Sequence, residues 1–379
     1  MSVRAAPERG GHFVVLDSWR GIAALAVALR HINGTAFFLT GSLHSYLSCA
    51  VDFFFVLSGF VIAASYGERL ARGFSPLRFL ALRWWRVWPL HATMVLVYLL
   101  LETILWLKGA GGVLSGREAF TGPREPITLL PTLLLLQAWI WPGRDLWNVQ
   151  SWSISVEMAL YVGAALLWRG LGARANWAGL VLALVALWGL GAGLLYDGML
   201  RGVAGFGLGM ACWALWPRIA AWRLPRAVPV LLEPALVGAV LAGLALEAPL
   251  ALLDPLFAAA VLVFAREEGP VSRLLQSAPA RGLGALSYAL YMVHGLVIGR
   301  VFDLVAFAQG RLGGRWVAAH LGGADQVLLA PLPALGLVLV MLAASLGVAW
   351  LAMTLVERPV RQWSRRPVVH PGAAARAPR

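Results

Sequence analysis

The sequence has little charge for its length. Only 13% of its 379 residues are charged, while 60% are hydrophobic; a soluble domain carries about 25% charged residues. So few polar side chains cannot cover a globule of this size in water. The composition therefore excludes an ordinary soluble protein and favours a chain folded in a lipid bilayer.

Lysine and cysteine are also scarce. Lys108 is the single lysine, so arginine supplies nearly all of the basic charge behind the net +13. The arginines lie in short connections between apolar runs, as in cytoplasmic membrane loops, and no polar domain gathers them into a nucleic-acid-binding face. The two cysteines, Cys49 and Cys212, are far apart and fit buried small side chains better than a disulfide framework or a metal site.

The first apolar run contains charged residues and is not followed by a cleavage signal, so we interpret it as a retained span. We predict a cytoplasmic tail over 1–12, one membrane domain over 13–363 and a disordered cytoplasmic tail over 364–379, rich in proline, alanine and arginine.

Apolar stretches of about 20 residues predict membrane-spanning helices. The candidates are 13–35, 49–66, 87–107, 152–168, 177–195, 199–216, 229–247, 249–265, 283–307 and 327–356. One further run, 127–141, is shorter and contains proline. If it does not cross, the arginine-rich loops all lie on the cytoplasmic side, as the positive-inside rule requires.

We therefore predict an all-α polytopic bundle of about ten transmembrane helices in the cell (inner) membrane. Segment 127–141 is interfacial or re-entrant in this scheme, and both termini are cytoplasmic.

Ionisable residues inside spans are costly and indicate function by default. Arg20 and His31 are eleven residues apart, or about 16 Å along a helix. This places Arg20 at the cytoplasmic edge and His31 near the middle of the membrane. Asp17 shares a helical face with Arg20.

Two acids lie in other spans. Asp52 in VDFFFVLSGF is either a functional acid or a residue that stabilises a helix N-terminus, and Ser58 further along suits close helix packing or a site. Glu157 in WSISVEMALY enters its span from the outside, and His31 is its expected partner at that depth. Its polar and aromatic neighbours are Trp152, Ser153 and Tyr161.

Arg83 and Arg86 lie one turn apart among tryptophans. Guanidinium groups on one face suit phosphates, with the tryptophans stacking on a base; anchoring at the membrane surface is the alternative. Glu357 is predicted to be their counter-ion.

The segment SYALYMVHG adds a third polar face. Its Ser287, Tyr291 and His294 are spaced by four and three residues and share one side of a helix.

These elements together resemble a known family. The Arg20–His31 element, VDFFFVLSGF, the Arg83-x-x-Arg86 pair, WSISVE, SYALYMVH and VERP occur in this order and cover nearly all of 13–363. They resemble the membrane acyltransferase-3 family. The resemblance implies O-acylation, usually O-acetylation, of carbohydrates with acetyl-CoA or another acyl-CoA as donor.

The mechanism that follows is a hypothesis. Arg20, Arg83 and Arg86 would bind the donor's phosphates, and His31 would be the general base. Glu157 or Asp52 would orient it. Candidate donors to the oxyanion are Ser153, Tyr161 and Tyr291.

The expected partners are acyl-CoA, a carbohydrate or glycoside acceptor and the lipid bilayer. No permanently bound cofactor, metal or nucleic acid is expected. The alternative is a proton-coupled transporter or flippase of a glycan or small molecule, because intramembrane histidines and acids also form proton relays.

Overall fold

The computed structural model describes residues 13–109, 118–193, 197–318 and 325–364. The predicted tail 1–12, and all of the predicted tail 364–379 except its first residue, lie outside these ranges. The helices are α1 (Val14–Arg30), α2 (Ser42–Tyr46), α3 (Ala50–Ile62), α4 (Glu68–Ala71), α5 (Pro76–Leu107), α6 (Leu129–Leu133), α7 (Gln137–Ile140), α8 (Ser151–Leu171), α9 (Ala175–Gly191), α10 (Asp197–Ala221), α11 (Ala227–Ala245), α12 (Leu250–Phe264), α13 (Pro270–Leu275), α14 (Ala278–Leu312), α15 (Pro331–Ala352) and α16 (Arg358–Ser364).

Three two-residue strands form a small sheet. They are β1 (Asn33–Gly34), β2 (Val317–Ala318) and β3 (Gln326–Val327). The central β3 pairs in parallel with β1 and antiparallel with β2. The sheet thus joins the residues after α1 to those between α14 and α15.

Seven helical stretches are long and apolar enough to cross a membrane. They are Phe37–Ala71, Pro76–Leu107, Ser151–Gly191, Asp197–Ala221, Ala227–Ala245, Ala278–Leu312 and Pro331–Trp363. The prediction of an all-α, multi-pass membrane bundle is confirmed, while ten crossings stays a prediction.

One of the seven stretches is two helices folded back on each other. Trp168 Nε1 donates to Asn176 Oδ1 at 2.9 Å, although a straight helix would separate these positions by about 12 Å. The reversal occurs at Gly172, whose φ of +57° suits glycine. The connection between α8 and α9 is therefore a tight turn.

The segment 127–141 forms no helix long enough to cross. Its two helices, α6 and α7, have five and four residues. Trp88 Nε1 donates to Leu133 O at 2.9 Å, and His91 Nε2 lies 2.7 Å from Thr132 O. The segment therefore lies against α5 without spanning the bundle, in agreement with the sequence interpretation.

Helix α5 begins eleven residues before the span predicted at 87–107. Ser75 Oγ accepts from the backbone N–H of Arg78 at 3.3 Å, and Pro76 is the first helical residue. Both are favourable at a helix N-terminus. As a result the arginines of this region are helical residues on an ordered surface rather than in a loop.

Helix α1 ends earlier than predicted, which corrects the position of His31. His31 is the C-cap residue of α1, so it lies at the end of the helix rather than inside a helix over 13–35, and its predicted depth in the membrane stays a prediction. The physical reason is the sheet: Asn33–Gly34 pairs with Gln326–Val327, and a strand cannot continue the helix.

Helices α1 and α14 run in the same direction and touch through glycines. A Cβ added at Gly21 would lie 2.6 Å from the backbone N of Gly284 and from the backbone C of Leu283. Only residues without a side chain allow such an approach.

The main apolar core joins α1, α3, α10 and α12. Its largest buried members include Phe53, Phe60, Trp216, Phe257 and Phe264. This packing holds α1 between the core and α14. We call the end of the bundle that carries Arg20, Arg83 and Arg86 the basic end, and the end at which α1 stops and α8 begins the far end.

Candidate active site

The interface between α1 and α14 carries polar contacts at two levels. At the basic end, Arg20 Nε donates to Ser287 Oγ at 2.8 Å, and Arg20 Nη2 lies 3.0 Å from Asp17 Oδ1. Seven residues further along α14, His294 contacts His31. The two levels are therefore about 10 Å apart along the helix axis.

Several cations converge at the basic end. The charges of Arg20, Arg83 and Arg361 all act on Arg86. Two carboxylates lie among them: Glu357 is 3.5 Å from Arg361, and Asp17 pairs with Arg20. Like charges this close repel one another unless an anion binds between them. The cluster therefore suits a phosphate group.

Arg361 was not singled out from the sequence. It lies four residues after Glu357, and positions i and i+4 are neighbours on a helix. That spacing was the available signal.

Glu157 belongs to a network near Arg83 rather than to His31. Its Oε1 accepts hydrogen bonds from Ser58 Oγ at 2.5 Å and from Tyr161 OH at 2.6 Å. The charge of Arg83 acts on Tyr161. The expected Glu157–His31 contact is thus not formed, because α8 carries Glu157 past the level at which α1 ends.

A hydrogen bond to a backbone carbonyl defines the tautomer of His31. Its Nδ1 lies 2.8 Å from Val27 O, and a carbonyl can only accept, so Nδ1 carries the proton. Nε2 then keeps its lone pair. His31 is an exposed residue, and its Nε2 makes no hydrogen bond to the described residues.

His294 is the side chain that faces His31. The rings are 4.9 Å apart between centroids, and His294 Nε2 lies 3.4 Å from His31 Nδ1. His294 Nδ1 is bonded to Leu290 O at 3.1 Å, and Gln150 Nε2 lies 3.1 Å from its Nε2. Since Nδ1 donates to the carbonyl, Nε2 of this fully buried ring accepts.

Two hydroxyls lie beside this pair at the start of α8. Ser153 Oγ and Tyr291 OH are 2.7 Å apart, and Tyr291 OH also donates to Gln150 O at 3.1 Å. The Tyr291 ring is 6.0 Å from that of His294. The preceding loop contains the buried Trp147 at a φ of +45°, a strained value of the kind found near functional sites.

Asp52 does not contact His31 either. Its two oxygens accept from Nε and Nη2 of Arg201 at 2.9 and 2.8 Å, and Asp52 is fully buried. The Arg201 guanidinium also lies over the ring of Trp152, 5.5 Å from its centre. The predicted role of Asp52 in orienting the histidine is wrong in geometry, because Arg201 uses both oxygens.

Arg201 and a nearby acid, Asp254, were missed by the sequence interpretation. Asp254 is fully buried, and neither of its oxygens has a hydrogen-bond partner within the described ranges. Both residues are single charges in apolar runs, GMLRGVAG and ALLDPLF. A single charged residue within an apolar run is also the pattern that singled out Asp52.

No group of three or more histidine, cysteine or acidic residues that could hold a metal ion occurs in the part of the chain that the structure describes.

Comparison with known proteins decides the family. Residues 13–354 match the family described as "Acyltransferase domain", the third acyltransferase family of that name. The chain belongs to this acyltransferase family. It is accordingly a multi-pass membrane protein and an acyltransferase.

Two curated proteins are similar to this acyltransferase. "Acyltransferase MdmB" of Streptomyces mycarofaciens is 30% identical over 400 residues, which cover 96% of this chain and 95% of that protein. "Protein 2 in picA locus" of Rhizobium radiobacter is 37% identical over 130 residues, 34% of this chain and 64% of that protein. No solved structure matches the chain significantly.

Proposed function

We propose that this acyltransferase moves an acyl group, such as acetyl, from acyl-CoA to a hydroxyl of a carbohydrate or glycosylated acceptor. His31 is the general base, and the enzyme lies in the cell inner membrane with both termini cytoplasmic. The observation that carries the proposal is the α1–α14 interface, where one pair of touching helices holds the arginine level and the histidine level.

The donor binds at the basic end. Arg20, Arg83 and Arg86 contact its phosphates by charge-assisted hydrogen bonds, and Arg361 adds a fourth cation. The positive-inside rule places this end in the cytoplasm, where acyl-CoA is made. The pantetheine arm covers the distance of about 10 Å between the two levels.

The transfer step uses the free nitrogen of His31. Nε2 takes the proton of the acceptor hydroxyl while the oxygen attacks the thioester carbonyl. A C–O bond forms, the C–S bond breaks, and the departing CoA thiolate receives the proton from His31. The products are the ester and CoA.

His294 takes the orienting role that the sequence assigned to Glu157 or Asp52. When Nε2 of His31 is protonated, its Nδ1–H remains bonded to Val27 O and faces the acceptor nitrogen of His294. Both acceptors stabilise the imidazolium. Ser153 and Tyr291 remain the candidate donors to the oxyanion. Their protons now serve Gln150 O and each other, so one of them must turn towards the acyl group when it binds.

The test uses membranes bearing the full chain, labelled acetyl-CoA and glycosides extracted from the same cells. Labelled esters are measured by mass spectrometry. His31→Ala should lower turnover by about a thousandfold, since general-base catalysis contributes about 10²- to 10⁴-fold. His44→Gln is the matched control: His44 also bonds a backbone carbonyl, that of Leu29 at 3.1 Å, and should keep wild-type turnover.

Two results would contradict the proposal. One is wild-type turnover in His31→Ala. The other is movement of glycosides across sealed vesicles without consumption of acetyl-CoA, which would favour a transporter or flippase.

A further inference from the structure

A polar cavity lies at the far end, between the loop before α8 and the first turns of α10. Its volume is about 200 Å³, well above the roughly 10–15 Å³ that a single water needs on this measure. This suits a small polar ring rather than a long chain. The lining residues are Gly143, Arg144, Asp145, Trp152, Asp197, Gly198 and Arg201.

The lining contains two arginines and two aspartates, and each arginine has an acidic partner outside the lining. Arg201 is paired with Asp52, and Arg144 Nη2 lies 3.4 Å from Glu125. Neither Asp145 nor Asp197 forms an ion pair with any described residue. The two arginines are thus neutralised from behind the lining, and two carboxylates are left over.

Helix stabilisation explains only one of these acids. Asp197 lies in the first turn of α10, where a negative charge favours the helix. Asp145 lies in a loop and has no such role. Charge complementarity therefore indicates a cationic group in the ligand.

The remaining groups suit hydroxyls. Arg201 uses Nε and Nη2 for Asp52, so its Nη1 is available as a donor, while the carboxylates accept. The indole of Trp152 supplies an apolar face. A ring with hydroxyls and a protonated amine matches this combination of donor, acceptors and charge.

The cavity is adjacent to the histidine pair. Trp152 lies on the first turn of α8, two residues after Gln150, which contacts His294. Desolvation raises the pKa of Asp145, and the charge of nearby His31 acts in the opposite direction. The Asp145 side of the cavity therefore lies towards His31, which is not itself part of the lining.

We propose that this cavity is the acceptor subsite and that the acceptor carries a protonated amine, as an amino sugar does. The inference rests on the proposed function. The amine binds at Asp145 and Asp197, and a hydroxyl of the same molecule reaches His31. A protonated amine has no lone pair, so the hydroxyl is acylated and the amine is not.

Equilibrium dialysis of the purified full chain, without donor, tests the subsite with labelled glucosamine and labelled glucose as probes. Glucosamine should bind about tenfold more tightly than glucose. Asp145→Asn and Asp197→Asn should each weaken glucosamine binding about three- to tenfold and leave glucose binding unchanged. Glu247→Gln is the matched control, an exposed acid outside the cavity that bonds Ser42, and should bind as wild type.

Equal binding of the two probes, or unchanged glucosamine binding in both aspartate variants, would overturn the proposal. Displacement of glucosamine by calcium chloride, but not by sodium chloride of equal ionic strength, would overturn it in favour of a metal-ion site.

An acyl-transfer assay on the same preparations separates the two proposals. Amine-selective binding without transfer would refute the proposed function and leave the subsite standing. Transfer with no preference for an amine would support the proposed function and refute the subsite.

Discussion

Two polar pairs lie between helices near the far end, and they differ in how far their hydrogen bonds are satisfied. In the Asp52–Arg201 pair, both carboxylate oxygens are bonded to the guanidinium. In the His31–His294 pair, His31 Nε2 makes no hydrogen bond to the described residues. The carboxylate of the first pair has a partner for each oxygen within the protein, whereas the second pair leaves one basic nitrogen for a substrate.

The largest effect is expected when the Asp52–Arg201 pair loses its cation. Arg201→Leu should destabilise the protein by about 3–5 kcal/mol, because it leaves a buried carboxylate without its cation. The measurement is the thermal unfolding midpoint in detergent. Replacing both residues, Asp52→Leu with Arg201→Leu, should restore most of the loss. A single variant as stable as wild type would show that the pair is not structural.

The second test removes the partner of His31. His294→Leu should lower kcat by about ten- to a hundredfold, since the imidazolium of His31 loses one acceptor. KM for acyl-CoA should stay unchanged because the donor's phosphates bind at the other end. His294→Gln, which offers an amide oxygen, should recover part of the rate. An equal rise in KM, or a fall in protein level that accounts for the loss, would indicate a merely structural role.

The smallest expected effect concerns the basic end, where the donor is proposed to bind, away from the histidine pair at the far end. Arg86→Gln should raise KM for acyl-CoA about tenfold with little change in kcat, because one charge-assisted contact to phosphate is lost. Arg78→Gln is the control, since Arg78 is exposed at the same end and is not part of the cluster. An unchanged KM in Arg86→Gln would remove Arg86 from the donor site.

The sequence predicts well what local pattern determines. Apolar length predicts the membrane bundle. The distribution of arginines over the loops predicts that 127–141 does not cross, and arginine position predicts the cluster with Glu357. Each of these depends on the position of apolar or basic residues relative to the two surfaces of a lipid bilayer.

Long-range pairing is what the sequence could not reveal. His31 terminates α1 because residues nearly three hundred positions away pair with Asn33–Gly34. Asp52 pairs with Arg201, and Glu157 pairs with Ser58. These pairs form because the helices that carry the two residues are adjacent in the fold. Charge and depth alone made His31 an equally good partner for both acids.

Because Gly21 contacts Gly284, the Arg20–Ser287 contact and the His31–His294 contact both depend on the distance between α1 and α14. Backbone atoms of α1 and α14 already touch there, so even one methyl group at either position would force the helices apart. Arg20 would then move away from Ser287, and His31 from His294, in the same displacement. A substitution at Gly21 or Gly284, far from every reacting atom, would therefore disturb the proposed donor site and the histidine pair together.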